Sequence, residues 1–259
     1  MADTSNKLVS SMGRAELDRI FVRNYDLNKD LLGKITFAQM VYLMIVGRMP
    51  TAEEGRMVDT MLIVLVDHGM TTGAAAARMT FHSAPEAIQG AVAAAILGAG
   101  SVHLGSSEHC AKMLNDALPK DSKESDLDAI ALKTVEKRLA NNQLIPGIGH
   151  GIHTQGDPRA ERLFEVAQET KVYGRYCELL RKIGKIADQK VGKHLPVNVT
   201  GAIAAISLDM GIHWQMSKSF AILGRALGGL AHVGEEIRRP IARGISNLIR
   251  DNLQYEPEK

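Results

Sequence analysis

The chain has 259 residues, a formal net charge of +2 and two cysteines. That length buries a core of its own, and two cysteines exclude a disulfide framework or a zinc quartet. Aromatic residues make up 4% of the chain. That is too few for a base-stacking surface, and the basic residues do not gather into a groove-reading motif, so nucleic acid is not an expected partner.

Alanine, leucine, isoleucine, methionine and glycine abound, which suits helices packed through small side chains and predicts an all-α fold. In chain order, Thr36-Phe37-Ala38-Gln39 is a capping box that opens a helix ending at Gly47. Thr51-Ala52-Glu53-Glu54 is a second box, and its helix runs to about Val66, because Met57, Met61, Leu62 and Leu65 keep a helical stripe. Ser83-Ala84-Pro85-Glu86 reads as a third box, starting an alanine-rich helix that ends near Gly98. The stretch from Ala87 to Ser107 carries no Asp, Glu, Lys or Arg, but its apolar centre between Gly90 and Gly98 is too short to cross a bilayer, so no membrane span is expected. Pro119–Asp128 is a polar loop or helix start. Asp157-Pro158 starts a fourth helix with an N-cap followed by proline at the first helical position, and helical spacing continues to Ile183. Two further helices follow over Gly201–Met210 and Gln215–Glu236, and the tail after Leu253 is loose. The opening MADTSNKLVS lacks the layout of a secretory signal, so a reducing cytoplasm is the expected compartment.

Four places carry groups that a simple core does not need: Asp67-His68-Gly69, Gly100–Gly105 with His103, Pro146–Gly151 with His150 and the following Asp157-Pro158-Arg159, and Gly224-Arg225 with Arg238-Arg239-Pro240. Taken singly, each has a plain alternative. A histidine near a helix end serves as a cap, Gly-x-Gly-His serves as a turn, and exposed arginines form surface ion pairs. His103, His109 and Cys110 have no fourth ligand at a recognisable spacing, so no metal is expected.

Taken in order, these motifs resemble the citrate synthase superfamily. NQLIPGIGHGIHTQGDPRAERLFEVA resembles the family's Gly-x-Gly-His loop with its Asp-Pro-Arg-Ala. GSVHLGSSEHCAKML is similar to the His-Gly-Gly-Ala-Asn-Glu segment, with His103 and Glu108 in register. LVDHGMTTGAAAARM resembles the Ala-Asp-His stretch, residues 21–54 resemble the N-terminal hairpin, and ILGRALGGLAHVGEEIRRP resembles the closing Gly-Arg…Ala-His…Arg-Pro. In length, and in NVTGAIAAISLDMG with its Asp209, the chain is most similar to citryl-CoA lyases and the matching module of ATP-citrate lyase.

The resemblance implies a large helical domain over residues 22–259 behind a lead-in at 1–21, with about 115–195 as a smaller mobile subdomain. It also implies cleavage of a citryl-CoA-like 3-hydroxy-3-carboxyacyl-CoA to acetyl-CoA and a 2-oxo acid. The alternatives are a condensing enzyme, or a binding protein for polycarboxylates or coenzyme A. By the same resemblance His103 stabilises the enolate oxygen, and His150 serves the hydroxyl or carbonyl oxygen as acid or base. His68, Arg159, Arg225 and Arg239 bind carboxylates, and Pro146, Gly147, Ile148 and Gly149 bind the coenzyme A thioester. Arg239 reaches in from a neighbouring subunit, which implies a homodimer. One departure is chemical: relatives carry Asn-Val-Asp where this chain has Asn198-Val199-Thr200, and a threonine hydroxyl cannot replace a carboxylate as a base at carbon.

Overall fold

The structure is a computed structural model that describes residues 8–100, 104 and 106–258. It opens on a small antiparallel meander of β1 (Gly13–Ala15), β2 (Ile20–Val22) and β3 (Tyr25–Asp26), with Gly13 opposite Val22 and Phe21 opposite Asp26. Asp26 then caps a π-helical turn over Leu27–Leu31 by accepting from the amides of Asn28 and Lys29. Among the described residues the named elements that follow are all helices, as the composition predicts.

The first two capping boxes close as expected. Thr36 with Gln39 opens α1 (Phe37–Val46), and Thr51 with Glu54 opens α2 (Ala52–Ile63). The second helix stops short of Val66 because its last turn tightens: the amides of Leu65 and Val66 donate to the carbonyls of Leu62 and Ile63, three residues back. The third expected start is corrected. Ser83 is the last residue of α3 (Thr72–Ser83), and its hydroxyl donates back to the Met79 carbonyl at 3.2 Å. Ala84 must leave the helical region ahead of Pro85, so α4 (Ile88–Leu97) begins later and without a side-chain cap.

Next come α5 (Ser106–Ala117), α6 (Leu127–Ala140), α7 (Pro158–Glu169), α8 (Arg175–Val191) and α9 (Val199–Asp209). Asp126, Asp157 and Asn198 cap α6, α7 and α9. The helical run expected after Pro158 is thus two helices. A 3₁₀ turn at Trp214–Met216 leads into α10 (Ser219–Arg238), and α11 (Ala242–Asn252) closes the fold.

Two groups of helices result. In the first, α5, α7 and α8 surround α9, whose residues Ala202–Ile206 are fully buried. Each isoleucine among them, Ile203 and Ile206, contributes about 1.5–3 kcal/mol through burial. The start of α9 lies against the loop before α7 so closely that a Cβ on Gly201 would stand 2.6 Å from the Gly147 carbonyl oxygen. In the second group α3, α4 and α10 pack on one another, and Gly228 of α10 lies against the Val66 carbonyl with no room for a side chain. No helix of the described residues is long and apolar enough to cross a membrane.

Candidate active site

A cavity of about 600 Å³ opens between the two helix groups. Its walls come from the turn after α2, the first turn of α3, the inner face of α10, the loop before α7 and the start of α9. Four helices present their first turns to it: α3 through Thr72, Gly73 and Ala74, α5 through Ser106, α7 through Arg159, and α9 through Val199 and Thr200. Aligned peptide dipoles make each such terminus partly positive.

Asp157 organises the α7 side. It is 1% exposed and caps its helix by accepting from the Arg159 amide at 3.1 Å. The same carboxylate accepts from Arg159 Nε and Nη2, both at 3.0 Å, and from the Val199 amide at 2.8 Å. One buried group therefore sets the Arg159 fork and ties the start of α7 to the start of α9. The guanidinium pairing and the amide bonds hold Asp157 ionised, below the usual carboxylate range, against the cost of its burial.

The Arg159 Nη2 atom lies 3.1 Å from His150 Nε2. His150 Nδ1 accepts from the amides of Ile152 and His153, each at 3.0 Å, so in the neutral ring the proton sits on Nε2. With Nε2 protonated, His150 Nε2 and Arg159 Nη2 are both donors, so their 3.1 Å approach is not a hydrogen bond and both N–H groups are left for an acceptor on a ligand. Burial depresses the His150 pKa, with smaller contributions of the same sign from His153, Arg159 and His68, while Asp157 opposes them. The neutral imidazole is therefore the resting form near neutrality.

His68 stands edge-on to His150 with ring centroids 6.5 Å apart, and its pKa is likewise lowered by burial and by Arg159 and Arg225. Half-buried Arg225 lines the same cavity from α10. Among the described residues no carboxylate ion-pairs with Arg225, and Asp67 acts on it only through space.

Thr200 also lines the cavity, in the first turn of α9. Its hydroxyl donates to Asn198 Oδ1 at 2.7 Å, so the 2.7 Å contact with Ser106 Oγ has Ser106 as donor. The Thr200 proton is thus committed to the helix cap. Asp67 is the only carboxylate among the described lining residues, and both its oxygens accept hydrogen bonds, from His232 Nε2 and the Gly69 amide, at 3.0 Å each.

The cavity thus brings together His68, Gly149, His150, Arg159, Thr200 and Arg225. His103 lies outside the described residues. Pro146, Gly147 and Ile148 do not line the cavity; Gly147 packs against Cys110 and Gly201, and Ile148 forms a bridge with Val197. Arg239 is exposed at the C-cap of α10. No cluster of three metal-ligating side chains occurs among the described residues. The sequence reading gave no role to Arg78, Ser106 or His232. For Arg78 a signal exists, because an arginine amid the alanines of α3 requires buried carboxylate partners, and Glu235-Glu236 supplies them.

Residues 15–250 match the family described as Citrate synthase, C-terminal domain. The citrate synthase of Deinococcus radiodurans is 27% identical over 225 residues, 85% of this chain and 56% of that protein. The chain spans about half the length of the curated relatives it matches. The structure of citryl-CoA lyase from Hydrogenobacter thermophilus is similar with a TM-score of 0.86 at 32% identity, covering 98% of this chain and 96% of that one. ATP citrate lyase from Methanothrix soehngenii, solved with citrate and coenzyme A, shares the fold with a TM-score of 0.76 at 17% identity, covering 98% of this chain and 42% of that one. A match over residues 15–250, on a helical frame shared along nearly the whole chain, makes this protein a member of the citrate synthase family.

Proposed function

We propose that the protein is a carbon–carbon lyase that cleaves a citryl-CoA-like 3-hydroxy-3-carboxyacyl-CoA to acetyl-CoA and a 2-oxo acid such as oxaloacetate. The observation that carries this reading is the convergence of four helix first turns and two guanidinium groups, Arg159 and Arg225, on one cavity. Such a lining suits a ligand bearing several carboxylates, which arginine forks bind in a fixed orientation. The likeness to a citryl-CoA lyase of nearly the same length supports cleavage over condensation.

In this reading the carboxylates of the oxo-acid half meet Arg159 and Arg225. The hydroxyl oxygen sits where His150 Nε2–H and Arg159 Nη2–H converge. Because His150 Nε2 already holds a proton, this reading departs from the roles the resemblance implies: neutral His68 accepts the hydroxyl proton, and the two donors stabilise the alkoxide that forms. The bond between the hydroxyl-bearing carbon and the acetyl carbon then breaks. The alkoxide becomes the carbonyl of the oxo acid, and the bond pair passes into the acetyl thioester as an enolate. Taking up one proton at carbon yields acetyl-CoA. The family resemblance assigns the enolate oxygen to His103 and the thioester to Pro146–Gly149, and it seats Arg239 in the site of a second copy in a homodimer. The exposed apolar side chains of Ile237, Leu248 and Ile249, on the same end of the chain, suit burial in such a pairing.

The committed Thr200 hydroxyl favours a second reading, a polycarboxylate-binding protein without turnover. One assay separates the two. Citryl-CoA is incubated with the protein and malate dehydrogenase, and oxaloacetate is followed through nicotinamide oxidation. Release that depends on His150 supports the lyase. Tight citrate binding without release supports the binder.

A further inference from the structure

We infer that His232 is a positioning residue, which acts through Asp67 to fix the turn that carries His68 into the cavity. The turnover arm of the test rests on the lyase reading; the structural arm does not.

The chain of contacts runs in one direction. Arg78 of α3 is 2% exposed, and its Nε donates to His232 Nδ1 at 3.1 Å. Its remaining nitrogens meet Glu235 and, at 2.9 Å, Glu236. An arginine is always a donor, so Nδ1 of His232 must hold a lone pair, and the ring proton sits on Nε2. That proton is directed to Asp67 Oδ1 at 3.0 Å. The other Asp67 oxygen accepts the Gly69 amide at 3.0 Å, closing a three-residue turn around His68. Gly69 has a φ of +74 and Val66 lies against Gly228, so the turn is confined at both ends. Glu236 is buried and accepts from the Ile241 and Ala242 amides, which anchors the network to the start of α11. Buried Arg78 thus fixes the tautomer of His232, His232 orients Asp67, and Asp67 shapes the backbone that aims His68. Asp67 alone would not suffice, because its side chain is 55% exposed and an exposed carboxylate samples several orientations.

His232→Leu removes the link, whereas His232→Gln retains it, because a side-chain amide offers an acceptor and a donor side by side as the imidazole does. Asp67→Ala cuts the same link at its exposed end, where folding is least at risk. In the unliganded protein, amide hydrogen exchange of segment 65–71 should quicken about tenfold or more in His232→Leu and Asp67→Ala and stay near wild type in His232→Gln. Citrate affinity by calorimetry and citryl-CoA cleavage should fall by about tenfold in His232→Leu, recover in His232→Gln, and show no further fall when His232→Leu is added to His68→Ala. Unchanged exchange at 65–71 in both disrupting variants, or losses from His232→Leu and His68→Ala that multiply, would overturn the inference. A wild-type protein that neither binds citrate nor cleaves citryl-CoA would defeat the lyase reading instead, and the exchange measurement would still decide the role of His232.

Discussion

The two walls of the cavity are held in different ways. On the α7–α9 side the site groups are fixed by partners close in sequence: Asp157 caps the helix that carries Arg159, two backbone amides hold the His150 ring, and Asn198 caps the helix that carries Thr200. On the α2–α10 side they are fixed by side chains far apart in the chain, Arg78 to His232 to Asp67, while Arg225 has no carboxylate partner among the described residues. The first wall is rigid because helix capping and site geometry are one set of bonds. The second leaves the Arg225 guanidinium available for an anionic ligand to complete.

The strongest way to break this comparison is to remove its reactive members. His150→Ala and Arg225→Ala should each lower citryl-CoA turnover by about a hundredfold or more, as expected for a donor to the developing oxyanion and a transition-state charge partner. Near wild-type rates in both would remove the cavity from the chemistry.

Stability should divide the walls. Asp157→Ala strands the Arg159 fork and leaves the Val199 amide without its acceptor, at a cost of about 2–3 kcal/mol in chemical denaturation. Asp67→Ala, where only the carboxylate end of the pair is exposed, should cost less than about 1 kcal/mol. Equal losses would show that the two walls are not held differently. Gly201→Ala should also cost about 1–3 kcal/mol, since its new Cβ meets the Gly147 carbonyl oxygen at 2.6 Å.

What the sequence made legible follows the same division. Thr36, Thr51 and Asp157 announce their helices because a cap is a local pattern, and the Gly-x-Gly-His and Asp-Pro-Arg motifs mark the first wall for the same reason. Ser83 misled because its hydroxyl had two uses four residues apart, bonding back to Met79 or capping forward, and Pro85 delayed the next helix. His232 stood out only as the Ala-His of the closing motif, with no role, since nothing in AHVGEE reveals that a buried arginine from α3 lies against it. Thr200 was visible as a departure, but the commitment of its proton to Asn198 shows only in the folded geometry of the α9 cap.

Thr200→Asp sharpens the account of the first wall. The position lies in the first turn of α9, where a carboxylate is favoured by the helix dipole and Ser106 can donate to it. Acetyl-CoA release should rise by roughly tenfold, toward the ~10²–10⁴ that a well-placed general acid supplies. A folded variant slower than wild type would argue against a lyase limited by proton delivery to carbon.

The pH dependence should be gentler. Burial lowers the pKa of both His68 and His150 below the ordinary histidine value of 6.5, so both stay neutral until the pH falls below that value. The acid limb of kcat/KM should therefore lie below pH 6.5. Because the unfolded chain takes up those protons first, stability should be fully present above 6.5 and fall as the pH drops through the lowered values. An acid limb above 6.5 would contradict this assignment of neutral imidazoles.

The central claim, that both walls close on one polycarboxylate, is tested most directly by calorimetric titration of citrate into the wild-type protein and Arg225→Ala. The account predicts one site per chain in the wild type and an affinity about ten- to a hundredfold weaker in the variant, the worth of a lost charge-assisted contact. Equal affinities in the two proteins, or no binding to the wild type, would contradict it.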